Sequence, residues 1–353
     1  MPREAAGLSG SGQMRVTEDR VTVAVDVMGG DHAPREILLG ALEGASRHNA
    51  RVLAVGDRQG IERYLRKMKG AERLQIIDAP EQIQMGENPA SAIRRKPNSS
   101  LVVAAQLVRD GKADAMLSAG NTGACMAVAA LILGRAPGID RPGIATVLPT
   151  ARGQSVLLDV GANVDSTVEN LVQFAVMGSI YSRDVLGVKN PRVGLLSIGE
   201  EPTKGNELTK AAHKALLQSG LDFVGNVEGG PLFAGAADVV VCDGFVGNVA
   251  LKVAEGVVEL LLQVARARLW SHPWYRLMLL GMAPGLRKVH RQLDRQEVGG
   301  APLLGVNGIC IVCHGNSKAK SIISALGLAA RAHEKDMLGH IRKCLEVPAD
   351  IPA

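Results

Sequence analysis

Aromatic residues are scarce, with 2 Trp, 3 Tyr and 4 Phe among 353 residues. That scarcity argues against a β-sandwich, whose strands lean on aromatic and β-branched side chains. Cysteine is sparse too. Cys125, Cys242, Cys310, Cys313 and Cys344 make an odd count, and the first 20 residues hold no apolar stretch of the signal-peptide kind. Reduced thiols and a cytoplasmic location are therefore expected. No window reaches ~18 uninterrupted apolar residues, so no membrane-spanning helix is expected. The nucleotide motifs G-x-x-x-x-G-K-[ST] and G-x-G-x-x-G are missing. So are a G-x-S-x-G elbow and a Ser–His–Asp order, which leaves serine hydrolysis unsupported. Cys310-Ile311-Val312-Cys313-His314 has c-type haem spacing, but the run is apolar and glycine-bounded and reads as a buried strand. No second ligand pair stands at zinc spacing, so neither metal nor cofactor is expected.

What the chain does have is 41 Gly, 46% hydrophobic and 21% charged residues, a globular composition. Short aliphatic runs end in Gly, Asn or Asp at Val21–Val27, Arg51–Val55, Ala113–Leu117, Val156–Val160, Val193–Ile198, Asp238–Cys242 and Ile309–Cys313. Helical periodicity marks Arg35–His48, Leu101–Arg109, Val168–Tyr181, Glu207–Gln218 and Lys318–His333. This alternation predicts an α/β fold: a mainly parallel sheet in three αβα layers, with two interlocked lobes. Residues 1–20 read as a flexible tail, 21–345 as the α/β domain and 346–353 as a C-terminal tail.

Open α/β sheets bind ligands at the carboxyl ends of their strands. Glycine lets backbone approach an anion there, and a following helix offers free N–H groups. Ser118 to Gly123, with Asn121 and Thr122, and His314 to Ser317, with Asn316, have the makings of phosphate cradles on one sheet edge. Lys204, before Gly205 and Asn206, is placed to reach a phosphate or polarise a carbonyl, or else is a solvated loop lysine. Asn226 and Glu228 form another polar strand end, while His213 and His333 read as surface or packing residues.

These residues carry a resemblance to the PlsX phosphate acyltransferases. It rests on Asp26-Val27-Met28-Gly29-Gly30-Asp31-His32-Ala33-Pro34, on Ser118 to Ala124, on Leu158 to Asp165 with Asn163, and on Gly199-Glu200-Glu201 with Lys204-Gly205-Asn206. Gly225 to Gly229 and Asp243 to Val249 with Asn248 complete it, in unbroken order from about Val21 to Ala330. The resemblance implies transfer of a long-chain acyl group from acyl carrier protein (ACP) to orthophosphate. The acyl phosphate would serve a membrane glycerol-3-phosphate acyltransferase in phospholipid synthesis. It implies an isocitrate/isopropylmalate dehydrogenase-like, phosphotransacetylase-like fold and a homodimer. Lys204, Asn206, Asn226 and Asp243 become the expected catalytic set. Asp26, Gly29, Gly30, Asp31, Ser118, Asn121, Thr122, Gly123, Asn163, Glu228, Asn248, His314, Asn316 and Ser317 become the expected phosphate and substrate contacts. Two departures are Ser197, where the family more often has Asn, and Gly230, where a basic residue is common.

The net charge of +5 is uneven. Residues 266–295 hold seven basic residues against Asp294 alone, and both Trp. Within a projecting hairpin over 256–297, Arg266, Arg268, Trp270, Trp274, Leu279, Arg287 and Lys288 are expected to meet an anionic membrane, the acidic ACP or a partner subunit. The rest of the chain is near neutral, and nucleic acid is not an expected partner. Competing readings are a short-chain acyl-CoA phosphotransacetylase, a decarboxylating dehydrogenase by fold analogy, and a non-catalytic membrane scaffold.

Overall fold

A computed structural model describes residues 20–269 and 299–345. Trp270, Trp274, Leu279, Arg287 and Lys288, and both expected tails apart from Arg20, lie outside the described residues, as does the side chain of Arg266. The strands are β1 (Thr22–Asp26), β2 (Arg51–Gly56), β3 (Leu74–Asp78), β4 (Ala115–Ser118), β5 (Gly143–Thr150), β6 (Gly153–Leu158), β7 (Val193–Leu196), β8 (Phe223–Val227), β9 (Val239–Val241), β10 (Ala301–Leu304) and β11 (Ile309–Val312). They form one sheet ordered β3-β2-β1-β4-β11-β10-β5-β6-β9-β7-β8.

The helices are α1 (Arg35–Arg47), α2 (Arg58–Leu65), α3 (Pro89–Arg95), α4 (Ser100–Arg109), α5 (Thr122–Val128), α6 (Val168–Asp184), α7 (Glu207–Leu217), α8 (Gly229–Ala234), α9 (Gly244–Leu269), α10 (Ala319–Glu334) and α11 (Met337–Leu345). Alternation along the strands divides them into two layers. Val23 and Val25 of β1 share a core with α1, α2, α6, α7, α10 and α11. Ala24, between them, faces the opposite core with α3, α4, α5 and α8. Strands buried on both faces suit the aliphatic runs in the sequence. Gly40 and Gly44 set how closely α1 lies on α10: a Cβ would stand 2.6 Å from Ala319 O and 2.4 Å from Leu326 Cδ1.

Two features of the sheet differ from expectation. The sequence reading names no strand at β3, β5 or β10. β3 is an edge strand with mixed burial, while Pro149 and Pro302 interrupt the pattern of β5 and β10. Proline lacks the N–H a ladder needs, so it hides a strand from pattern reading. The second feature is direction. β11 is antiparallel to β10, β10 to β5, and β5 to β6. The block β6-β9-β7-β8 therefore runs opposite to the block β3-β2-β1-β4-β11. Strand carboxyl ends emerge on two opposite edges, which corrects the expectation of a single edge.

Cys310 and Cys313, three residues apart near the end of β11, point to opposite faces and enter different cores. Both are 1% exposed, and burial pushes the Cys313 thiol up to about 12. Two thiols on opposite faces do not present themselves to one haem. No helix of the described residues is long and apolar enough to cross a membrane.

Candidate active site

The first cluster lies where adjacent parallel strands β1, β4 and β11 end. Asp26 closes β1 and is 2% exposed. Its carboxylate accepts from Met28 N and Gly29 N at 3.1 Å each, and from Ser118 Oγ at 2.7 Å. Burial pushes this carboxyl above its ordinary range, against the pull of those bonds. Gly29 has no room for a side chain, since a Cβ would stand 2.6 Å from Asp26 Oδ2 and 2.7 Å from Gly120 N. Gly30 has φ 103°, the left-handed region open to glycine. The next residue, Asp31, donates its N–H to Gly315 O at 2.8 Å. Three loops thus meet backbone to backbone.

Within this cradle the expected contacts separate by what their side chains already do. Asn121 caps α5 by accepting from Ala124 N at 3.0 Å and donates to Met85 O at 2.7 Å. Asp26, Ser118 and Asn121 therefore use these side-chain atoms to build the loops. Gly29, Gly30 and the half-buried Gly123 supply the close approach. Asp31, Thr122, His314 and Asn316 are exposed, and Ser317 is buried. His314 Nδ1 accepts from Asn316 N at 3.3 Å. The segment 82–87 crosses the cradle, a feature the sequence reading missed. Gln82 Nε2 donates to Met28 O, and Met85 occupies the space a side chain at Gly315 would need. Lys96 holds the segment through Gln82 O and Glu87.

The second cluster lies on the opposite edge. After β6, the fully buried Asp159 accepts from Ile144 N, Gly161 N, Ala162 N and Asn163 N at 2.7–3.1 Å. Asn163 Nδ2 donates to Asp159 Oδ2 at 3.0 Å and Pro142 O at 2.7 Å, so Asn163 is a fixture of the loop. After β9, Asp243 Oδ1 accepts from Val246 N at 2.9 Å and caps α9. Asn248 is exposed beside Gly161.

Lys204 follows β7. It is exposed and forms no ion pair with a described residue. Its stem lies over Gly199, where a Cβ would stand 2.6 Å from Lys204 Cγ. Asn206 caps α7 by accepting from Thr209 N at 2.9 Å. Gly205, φ 102°, turns the chain into that cap. The first N–H groups of α7 then have no acceptor within the helix.

Asn226, on β8, is 7% exposed, and both ends of its amide are engaged. Nδ2 donates to Glu201 O at 2.9 Å, the same carbonyl that accepts from Lys204 N at 3.0 Å. Asn226 Oδ1 lies 3.0 Å from His213 Nδ1. Because Oδ1 only accepts, His213 Nδ1 must carry the proton. The buried His213 also packs edge-on against Phe223 at 5.1 Å. Asn226, expected in the catalytic set, spends both ends of its amide as a strut for the Lys204 loop. His213, read as surface or packing, is part of that strut; its position between Ala212 and Leu216 on the buried face of α7 was the available signal. Glu228 is half-buried at the start of α8 and makes no capping bond. No hydrogen bond or ion pair among the described residues joins the two clusters. No described group of three or more His, Cys, Asp or Glu is arranged to hold a metal.

The chain matches the fatty acid synthesis protein family over residues 21–339. It is 50% identical over 322 residues to a phosphate acyltransferase of Desulfitobacterium hafniense, covering 91% of this chain and 96% of that one. It is 51% identical over 323 residues to a phosphate acyltransferase of Heliobacterium modesticaldum, with the same coverage. Among solved structures, a phosphotransacetylase from Streptococcus pyogenes superposes with TM-score 0.59 at 18% identity, over 90% of this chain and 95% of that one. A 4-hydroxythreonine-4-phosphate dehydrogenase from Klebsiella pneumoniae superposes with TM-score 0.53 at 16% identity, over 89% and 98%. These two likenesses establish the shared fold.

Proposed function

The chain belongs to the fatty acid synthesis protein family, whose curated relatives are phosphate acyltransferases, and from that premise we propose that it moves a long-chain fatty acyl group from ACP to orthophosphate. One observation carries the reading: about half of all positions agree with phosphate acyltransferases across nine-tenths of the chain. A phosphate oxygen attacks the thioester carbonyl. The C–O bond forms, the C–S bond breaks, and the leaving thiolate takes up the proton the phosphate gives up. A thiol with a pKa of about 8.5 leaves with little acid assistance. The protein's work is positioning and charge stabilisation.

Lys204 and the first N–H groups of α7 face developing negative charge in this reading, with Asn206 and Asp243 holding their loops and Asn248 beside them. The cradle of Gly29, Gly30, Asn121 to Gly123 and Gly315 receives phosphate. In one chain these clusters stand on opposite sheet edges, so a shared reaction needs a second copy to bring them together. The proposed homodimer supplies it. Its support is the stripe on α9 formed by Phe245, Val249, Val253, Val257, Leu260 and Val264, each about half exposed at helical spacing. Peripheral membrane attachment through residues beyond this helix, a cytoplasmic location and delivery of acyl phosphate to a membrane glycerol-3-phosphate acyltransferase complete the proposal.

A donor comparison tests it. Palmitoyl-ACP should support phosphate-dependent turnover at least about tenfold better, in kcat/KM, than acetyl-CoA. Preference for acetyl-CoA would move the protein to short-chain phosphotransacetylase activity, which the fold alone also accommodates. A second reading confines the chemistry to the cradle, where three parallel strand ends converge. Lys204→Ala distinguishes the two, because it disables the first and leaves the second near wild type.

A further inference from the structure

The near-neutral body carries a basic face that whole-chain charge conceals. Residues 58–73 hold six Lys and Arg against Glu62 and Glu72. One of the six, Arg58, pairs with Glu62 at 3.7 Å. Between α1 and α2 lies a groove of about 490 Å³ lined by Arg35, Leu39, Arg63, Tyr64, Lys67 and Met68, with no carboxylate among them. Arg35, Arg63 and Lys67 form no ion pair with any described residue. The charged groups of the rim are therefore all cationic, and the lining between is Leu39, Met68 and Tyr64.

We propose that this groove docks the acidic carrier protein that presents the acyl thioester, by receiving an acidic amphipathic helix of that carrier. The inference rests on the reading of ACP as the donor. Three unpaired cations above an apolar floor are the complement of a helix with carboxylates flanking an apolar stripe. The shape argues against a membrane, since the apolar residues line a concavity whereas surface-binding segments project theirs. A lone inorganic anion would use neither the floor nor all three cations. The location fits as well. Arg35 opens α1 directly after the loop Gly29 to Pro34 that forms one wall of the cradle. A carrier seated here stands beside the strand-end edge to which its acyl arm must deliver.

The test uses the full-length enzyme, palmitoyl-ACP and immobilised holo-ACP. The double reversal Arg63→Glu/Lys67→Glu should raise KM for palmitoyl-ACP and weaken ACP binding by about tenfold or more, leaving KM for phosphate unchanged. A control reversal on the other lobe, Lys189→Glu/Lys214→Glu, should stay within about twofold. Wild-type binding should weaken as salt rises. ACP binding by the double variant equal to wild type would overturn the groove assignment while leaving the donor assignment standing. No ACP binding by wild type, with turnover of acyl-CoA only, would overturn both. Loss of sedimentation with phosphatidylglycerol vesicles, with ACP binding intact, would replace the carrier by a lipid surface and overturn the proposal.

Discussion

His213 offers a perturbation whose consequence can be worked through the structure. It touches no expected substrate contact, yet its Nδ1–H holds Asn226 Oδ1 at 3.0 Å, and Asn226 Nδ2 holds the Glu201 carbonyl at 2.9 Å. That carbonyl also anchors the Lys204 amide. His213→Leu leaves the buried Asn226 oxygen without a donor, a cost of about 1–3 kcal/mol. If the loss falls on the placement of Lys204, kcat/KM drops roughly 5- to 150-fold. An asparagine side chain places its N–H where Nδ1 stood and glutamine reaches the Nε2 position, so His213→Asn should recover most activity and His213→Gln should not. The assay is phosphate-dependent formation of acyl phosphate from palmitoyl-ACP, with urea titration run alongside. In a Lys204→Ala background, His213→Leu should cost little further activity, because both changes act through one group. Equal activity of the Leu, Gln and Asn variants, or full additivity with Lys204→Ala, would refute the strut.

Gly29→Ala places a Cβ against the backbone of Gly120 and should destabilise by about 1–3 kcal/mol with loss of turnover. Gly86→Ala, with nothing within 4 Å, should stay within about 0.5 kcal/mol of wild type in the same urea titrations. Asp26 is held above its ordinary 3.8 by burial, so the folded state keeps its proton longer than the unfolded state. Its ionisation therefore costs stability as pH rises from that value through the raised one. Asp26→Asn should gain on wild type as pH rises above the ordinary carboxylate range, and a pH-independent difference would contradict that linkage. Four of the five thiols are buried and Cys344 is exposed; Cys125 and Cys313 are pushed up to about 12. Ellman's reagent should find one fast thiol in the native protein, and that signal should vanish in Cys344→Ser.

The helices and parallel strands were legible because each carries its own periodicity. Val168 to Tyr181, for instance, lies within α6, which runs on to Asp184. The glycine loops were legible because close backbone approach demands glycine at Gly29 and Gly205. Sheet direction was not legible. It is set by which strands pair, and no local pattern in β5 or β10 records that β5 folds back on β6. The split of the expected site into two clusters follows from that reversal. Side-chain roles were half legible. Residue type marked Asn226 and Asn121 as polar strand-end residues, but whether an amide faces a ligand or a neighbouring carbonyl depends on loops distant in sequence. Asp159 lay inside a recognised run and went unremarked, although a carboxylate ahead of a glycine turn is well placed to accept the turn's N–H groups. The basic groove escaped because its cations come from two helices and the turn after the second, and are offset by acids elsewhere.

The central claim is acyl transfer from a carrier-bound long chain to orthophosphate. Its most direct measurement is hydroxylamine capture of the product from purified enzyme, palmitoyl-ACP and phosphate. The account predicts palmitoyl hydroxamate that appears only with phosphate, matches the free ACP thiol released mole for mole, and falls at least about a hundredfold in Lys204→Ala. Folded wild-type protein that releases thiol without hydroxamate, or forms hydroxamate equally well without phosphate, would contradict it.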